Sequence, residues 1–112
     1  MKNFYSCIDP KMETPQAEQH YLINKTASLH NGKIVFYGNE DLLSYKTQPF
    51  ILVKLKRTPN LDGVIFFTIN QFCYNEIFNL KKLYEIIDLN LNIYFAREAI
   101  YFLSKEDIKN KF

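Results

Sequence analysis

The chain has 112 residues, of which 47% are hydrophobic and 16% aromatic, enough for a single domain with a dense core. Its formal net charge of +2 argues against a nucleic-acid partner, since such proteins usually carry a clustered basic face. Cys7 and Cys73 do not have the spacing of a metal site or a redox motif, so no metal and no cofactor are predicted. No apolar run approaches the length of a membrane span, so the sequence predicts a cytoplasmic protein without membrane insertion.

The first part of the chain predicts a strand, a helix and a second strand. Residues 4–8 predict the first strand, which an Asp-Pro pair ends because proline lacks an amide donor. Thr14 as the N-cap and Pro15 as the first helical residue open a helix of about 16 residues, which an Asn-Gly pair ends. The β-branched and aromatic residues 33–37 predict the second strand.

The second part continues the alternation. Residues 49–57 could form a strand or a short helix, and the start and stop signals on either side favour the helix. The continuous apolar run at 64–68 predicts a third strand that is buried on both faces. Helical spacing predicts a third helix over 75–89, residues 92–96 predict a fourth strand, and Ser104 is placed as the N-cap of a last helix.

Strands that alternate with helices imply right-handed crossovers and parallel strands. We therefore expect one α/β domain over residues 1–112, a three-layer open sheet of about four strands in the order 2-1-3-4, similar to flavodoxin. In that order the switch point, from which the sheet is extended in both directions, lies between the first and third strands. The loops at residues 7–10 and 70–73 should then meet at the carboxyl end of the sheet, where such folds bind ligands.

Polar residues at the predicted strand ends form the candidate site. Asp9 and Glu98 are the candidates for acid or base catalysis, since clustered carboxylates can share a proton, but carboxylates also bind sugar hydroxyls or serve as caps and turns. Arg97 is interpreted as part of a surface ion pair. Cys73 could be an activated thiol at the amino end of the third helix, or simply a buried cysteine. No phosphate-binding glycine motif occurs among the three glycines.

Three stretches resemble the catalytic domain of the small serine recombinases (resolvases). They are residues 5–10 (YSCIDP), the helix that carries Gln19, and residues 70–74 (NQFCY). The resemblance implies a resolvase-like fold with a dimerising surface, but Asp9 stands where that family has its nucleophilic serine. The positions of that family's arginines are occupied by Cys7, Gln71 and Tyr74. Recombinase activity is therefore expected to be absent, because a carboxylate cannot replace the attacking hydroxyl.

Residues 61–68 (LDGVIFFT) and 94–98 (YFARE) resemble a second family, the bacterial sporadic carbohydrate cluster proteins, whose corresponding motif is F-A-x-E. The first half of the chain matches that family through Tyr5, Ser6, the glutamine-bearing helix and Glu40. This resemblance implies a role in the production of surface carbohydrate, such as lipopolysaccharide or another glycan. It implies a context and no particular reaction.

Two functions remain open at this point. In the first, the crevice binds a sugar or sugar phosphate, because amides and carboxylates suit hydroxyl recognition and aromatic faces cover sugar rings. The predicted substrate-binding residues are Tyr5, Ser6, Glu40, Asn70, Gln71, Phe72 and Tyr74. The alternative is a non-catalytic interaction or regulatory module derived from a recombinase fold, and in either case a homo-oligomer, most simply a dimer, is expected.

Overall fold

A computed structural model describes residues 1–39, 50–74 and 77–112. In chain order its elements are β1 (Lys2–Ile8), α1 (Gln16–Leu29), β2 (Gly32–Asn39), α2 (Phe50–Arg57), β3 (Gly63–Phe66), β4 (Cys73–Tyr74), β5 (Ile77–Phe78), α3 (Leu80–Ile87), β6 (Asn92–Phe95), β7 (Ile100–Phe102) and α4 (Lys105–Lys111). A short 3₁₀ helix at Ile69–Phe72 links β3 to β4. None of the helices in these ranges has the length and apolar character that crossing a membrane requires.

The main sheet is mixed, with the strand order β2-β1-β3-β6-β7. The first four strands in that order are parallel, whereas β7 runs antiparallel to β6. The predicted α/β class and the 2-1-3-4 order of the parallel strands are confirmed. The predicted number of four strands is wrong, because the turn after β6 reverses the chain through Ala99 at φ 55° and adds a fifth strand. Likeness to flavodoxin or resolvase stays a prediction.

Helices cover both faces of the sheet and give the predicted three layers. On one face α1 packs Ile23 and Ala27 against Phe4, Ile8 and their neighbours in β3 and β6. The other face is covered by α2, α3 and α4, whose buried side chains join a larger cluster with the opposite side of the same strands. Successive side chains of a strand point to opposite faces, which is why the continuous apolar run in β3 is buried on both.

Two predicted helices begin later than the sequence suggested. The third helix begins at Leu80 instead of near residue 75, because Asn79 caps its amino end by accepting a hydrogen bond from the Lys82 N–H. The preceding residues form the antiparallel pair β4 and β5. The first helix begins at Gln16, with Pro15 as the N-cap. The helix at α2 and the Ser104 cap of α4 are confirmed.

Candidate functional site

A crevice of about 410 Å³ opens at the carboxyl ends of the parallel strands, beside the switch point between β1 and β3, from which the sheet is extended in both directions. Its lining comes from the loop after β1, the segment after β3 and the turn after β6. The lining residues are Asp9, Lys11, Met12, Glu13, Thr14, Asn70, Gln71, Cys73 and Arg97. The predicted meeting of the loops that carry Asp9 and Asn70 is therefore confirmed, because both residues line the same cavity.

Gln19 fixes the backbone of the loop after β1. This side chain is fully buried on α1, where its Oε1 accepts a hydrogen bond from the Asp9 N–H at 3.1 Å. Its Nε2 donates to the carbonyl oxygens of Asp9 at 3.0 Å and Thr14 at 2.9 Å. One amide therefore bonds the Asp9 N–H and the Thr14 carbonyl oxygen, and it gives the Asp9 carbonyl oxygen a donor in addition to the Met12 N–H.

The Asp9 carboxylate is held in a tight turn at the wall of the crevice. Its Oδ1 accepts a hydrogen bond from the Lys11 N–H at 2.9 Å, the geometry in which aspartate initiates a turn. The residue is 5% exposed, and the Met12 N–H donates to its carbonyl oxygen. Asp9 therefore presents a carboxylate in a fixed orientation at the crevice.

Gln71 ties the segment after β3 to the end of β1. Its Oε1 accepts from the Thr68 N–H at 3.0 Å, and its Nε2 donates to the Cys7 carbonyl oxygen at 3.3 Å. Thr68 in turn accepts a hydrogen bond from the Asn70 N–H, which completes a capping box around the 3₁₀ helix. Gln71, predicted to bind substrate, reaches the crevice lining but uses its buried amide to bridge two strands.

Glu98 anchors the same segment from β6. Its Oε2 accepts from Thr68 Oγ1 at 2.6 Å and Arg97 Nε at 3.1 Å, and its Oε1 accepts from the Ile69 N–H at 2.9 Å. Burial raises the pKa of this carboxyl, but the hydrogen bonds from Thr68, Ile69 and Arg97 outweigh it and leave the pKa below its ordinary value. Glu98, a predicted catalytic residue, is thus an ionised carboxylate engaged with protein donors, which suits an anchor better than a proton donor.

Arg97 is a site residue whose place the sequence interpretation missed. It lines the crevice, its Nε donates to Glu98, and its Cζ lies 5.7 Å from the centre of the Phe67 ring. A surface ion pair was predicted for Arg97 without a named partner, but neither the pairing with Glu98 nor the contribution to the crevice was predicted. The available signal was the position of Arg97 directly after a parallel strand, at the same edge of the sheet as Asp9 and Asn70.

Cys73 lies in β4 and partly faces the crevice. Its predicted position at the amino end of the third helix is wrong, because α3 begins only at Leu80. Burial raises the pKa of the thiol, and the negative charge of Glu98 raises it further. Cys73 is therefore a protonated thiol at neutral pH and a poor nucleophile.

Three predicted substrate-binding residues lie inside the protein and outside the described crevice lining. Tyr5 is buried and stacks on Phe36, with ring centres 5.0 Å apart. Ser6 is buried in the middle of β1, on the side covered by α1. Phe72 packs edge-on against Phe66 in the larger cluster. Two further candidates, Glu40 and the side chain of Tyr74, lie outside the described residues.

No family model matches the chain, and comparisons with curated proteins and with solved structures gave no significant match. Within residues 1–39, 50–74 and 77–112, no three His, Cys, Asp or Glu side chains are grouped as a metal site requires. Membership of the carbohydrate-cluster or recombinase families stays a prediction.

Proposed function

We propose that the crevice binds a small hydroxylated ligand, a sugar or sugar phosphate, and that the protein acts in the cytoplasm in bacterial surface carbohydrate biosynthesis. The observation that carries the binding proposal is the composition of one cavity: carboxylate, amide, hydroxyl and cationic side chains converge on about 410 Å³. Small-ligand sites commonly enclose roughly 300–1,000 Å³ and combine an apolar surface with a few directed polar groups. The carbohydrate context rests on the sequence resemblance alone.

The lining offers both kinds of hydrogen-bonding partner that sugar hydroxyls need. Asp9 and Glu13 supply carboxylate acceptors, while the Asn70 amide supplies a donor and an acceptor. The half-buried Met12 adds an apolar surface to the same crevice. Phe72, predicted to cover the sugar ring with its aromatic face, is buried and cannot supply that contact. The lining therefore fits a polyhydroxylated ring better than an apolar ligand.

If the site is catalytic, Asp9 is the stronger of the two predicted acid-base candidates. It lines the crevice, whereas the described lining does not include Glu98. The hydrogen bonds to Glu98 favour its charged form, which leaves it without a proton to donate at neutral pH. We assign no reaction, and the proposal is one of binding.

A thermal-shift screen against free hexoses, hexose phosphates and nucleotide sugars tests this proposal. A ligand present at 100 times its Kd should add about 2.7 kcal/mol of stability. Glu13→Ala should reduce the shift because Glu13 lines the crevice, whereas Glu18→Ala, an exposed glutamate outside that lining, should leave it unchanged. The proposal fails if no hydroxylated ligand stabilises the folded protein, or if both variants respond to the ligand as the wild type does.

A second candidate function, the dimeric interaction module, is favoured by the outer strand of the sheet. β2 lies at one edge of the described sheet and exposes three apolar side chains in succession, Val35, Phe36 and Tyr37. A long apolar edge strand readily pairs with another strand, which favours a second copy of this chain as the partner. Dissociation of a dimer in Val35→Lys, measured by analytical ultracentrifugation, is the expected result. A wild type that stays monomeric at all concentrations excludes this candidate.

A further inference from the structure

We infer that the ligand of the crevice carries a phosphate monoester and that Arg97 binds this group. The inference rests on the proposed function and narrows its ligand from any sugar to a sugar phosphate. Four observations support it: the fixed orientation of Arg97, the nitrogens that its ion pair leaves unused, the charge balance of the lining, and the separation of Arg97 from the two carboxylates across the sheet.

The orientation of Arg97 is set from two sides. Its Nε donates to Glu98 at 3.1 Å, and its guanidinium carbon lies 5.7 Å from the centre of the Phe67 ring, within the range of a cation–π contact. Glu98 is itself fixed by Thr68 and by the Ile69 N–H. A cationic group that is already positioned loses little conformational freedom when a ligand binds, which favours affinity.

The hydrogen bond to Glu98 uses only Nε of Arg97. An arginine carries four more N–H groups on its two terminal nitrogens, in the planar arrangement that matches the oxygens of a phosphate. The Arg97 side chain is 44% exposed in the ion pair and belongs to the crevice lining. The guanidinium therefore remains accessible to a ligand while Glu98 holds it.

The charges of the described lining balance. Asp9 and Glu13 contribute two negative charges, and Lys11 and Arg97 contribute two positive charges. Glu98, outside the lining, adds one negative charge beside Arg97. A bare anion gains little from such a neutral set, since the carboxylates repel what the cations attract. A ligand with a phosphate at one end and hydroxyls at the other satisfies both kinds of group, so the sugar phosphate should bind more tightly than either part.

The two carboxylates and Arg97 stand on opposite sides of the crevice, while Lys11 lies on the carboxylate side. Asp9 and Glu13 follow β1, Arg97 follows β6, and β3 lies between these two strands. Two strand spacings separate β1 from β6 by about 10 Å, enough to accommodate a sugar ring with one phosphate. The hydroxyls would then face the loop after β1, and the phosphate would face the turn after β6.

Isothermal titration of the full chain with matched probes tests the inference. The probes are glucose, galactose, mannose and N-acetylglucosamine, their 1-phosphates, hexose 6-phosphates and inorganic phosphate. At least one sugar phosphate should bind about tenfold or more tightly than its free sugar, since charge-assisted hydrogen bonds are the strong ones. Inorganic phosphate should bind more weakly than that ester.

Arg97→Gln should raise the Kd of the ester far more than the Kd of the free sugar and so abolish the preference for the ester, whereas Arg97→Lys should keep part of that preference through charge alone. Arg57→Gln, an exposed arginine at the end of α2, is the matched control and should bind as the wild type does. Denaturation of each variant establishes that it is folded. If Arg97→Gln unfolds, titration of Arg97→Lys and the wild-type ratio of ester to free sugar still test the inference.

The outcomes separate the two proposals. Free sugars that bind as tightly as their phosphates, or an ester preference that survives Arg97→Gln, overturn this inference and leave the proposed function standing. If inorganic phosphate binds as tightly as any ester, the sugar contributes nothing to affinity, and the inference that the ligand is a sugar phosphate is overturned. The absence of binding by every probe overturns both proposals.

Discussion

Asn70 and Gln71 are neighbours with the same functional group, yet the structure uses them in opposite ways. Asn70 is exposed at the edge of the crevice, whereas the Gln71 amide is buried and bridges Thr68 to Cys7. The same contrast divides the whole site. We call the internally bonded group the floor, formed by Gln19, Thr68, Gln71 and Glu98. We call the exposed group the rim, formed by Lys11, Glu13, Asn70 and Arg97.

The difference shows that a polar side chain at a strand end is not by itself a ligand contact. Buried polar groups need hydrogen-bond partners. The floor residues bond to backbone N–H and carbonyl groups near the ends of β1 and β3. Floor residues should therefore control the stability of the fold. Rim residues should control binding and leave stability nearly unchanged.

The largest effect is expected beneath the floor, at Phe72. Its ring packs against Phe66 and Phe95, with centres 4.8 and 5.7 Å away, and the residue is 2% exposed. Phe72→Ala should lower the free energy of unfolding by about 4 kcal/mol, because it leaves a cavity in a close-packed cluster. Urea denaturation measures this change.

The control for Phe72 is an aromatic side chain outside the core. Tyr21→Ala removes a ring that is 65% exposed on α1, and we expect a change within about 0.5 kcal/mol. Sugar binding that disappears in a Phe72→Ala protein of unchanged stability would contradict the structure, because the ring would then have to face the ligand.

The next largest effect is expected in the floor itself. Gln19→Leu keeps roughly the size of the side chain but removes the hydrogen bonds that Gln19 makes to the Asp9 N–H and to the Thr14 carbonyl oxygen. The Asp9 carbonyl oxygen loses one of two donors and keeps the Met12 N–H. We expect a loss of about 3 kcal/mol in the free energy of unfolding, since unsatisfied buried groups are costly. Chemical denaturation of both proteins at the same pH provides the measurement.

Gln16→Leu is the matched control, the same substitution at an exposed position of the same helix. It should change stability by less than about 0.5 kcal/mol. Equal losses in the free energy of unfolding of Gln16→Leu and Gln19→Leu would show that the hydrogen bonds of Gln19 add nothing to stability and that the substitution acts through helix propensity alone.

The sequence was informative about where the site lies, because the alternation of strands and helices determined the order of the parallel strands. That order brings Asp9 and Asn70 to the same edge. It could not assign floor and rim, because the deciding contacts join residues remote in sequence: Gln71 and Cys7 are 64 positions apart, and Thr68 and Glu98 are 30 apart. Nor could it predict β7, since the positive φ that reverses the chain falls on an alanine and not on the expected glycine or asparagine.

A third prediction concerns the pH dependence of the floor. The pKa of Glu98 is lower in the folded protein than in the unfolded chain, where it is about 4.3. The ionised carboxylate therefore stabilises the fold fully above the unfolded pKa, and this stability is lost as the pH falls through the folded pKa. Glu98→Gln should cost about 1–2 kcal/mol at pH 7, the magnitude of hydrogen bonds to a charged acceptor. The gap between variant and wild type should narrow below about pH 4.

Urea denaturation of both proteins between pH 3 and pH 7 measures that gap. Glu18→Gln, at an exposed glutamate in the first turn of α1, is the control and should stay within about 0.5 kcal/mol of the wild type at pH 7. A gap for Glu98→Gln that widens on acidification would mean that the carboxyl is held protonated, which would restore Glu98 as a candidate acid.

The smallest effect on stability is expected at the rim. Among the described residues, Asn70 contacts the floor through its backbone N–H, which donates to Thr68 Oγ1, and Asn70→Ala retains that bond. We expect a change in the free energy of unfolding within about 0.5 kcal/mol. The Kd for the ligand should nevertheless rise roughly tenfold, because the amide that satisfies hydroxyl groups is gone.

Asn110→Ala, at an exposed position on α4 outside the crevice lining, is the matched control and should alter neither quantity appreciably. The comparison of floor and rim depends on this separation of stability from binding. If Asn70→Ala destabilises the fold as strongly as Gln19→Leu, the exposed amide has a structural role and the crevice has lost its best neutral contact for a sugar. If it changes neither stability nor binding, the ligand is recognised through the charged groups alone, and Lys11 and Arg97 with the two carboxylates must account for all of the affinity.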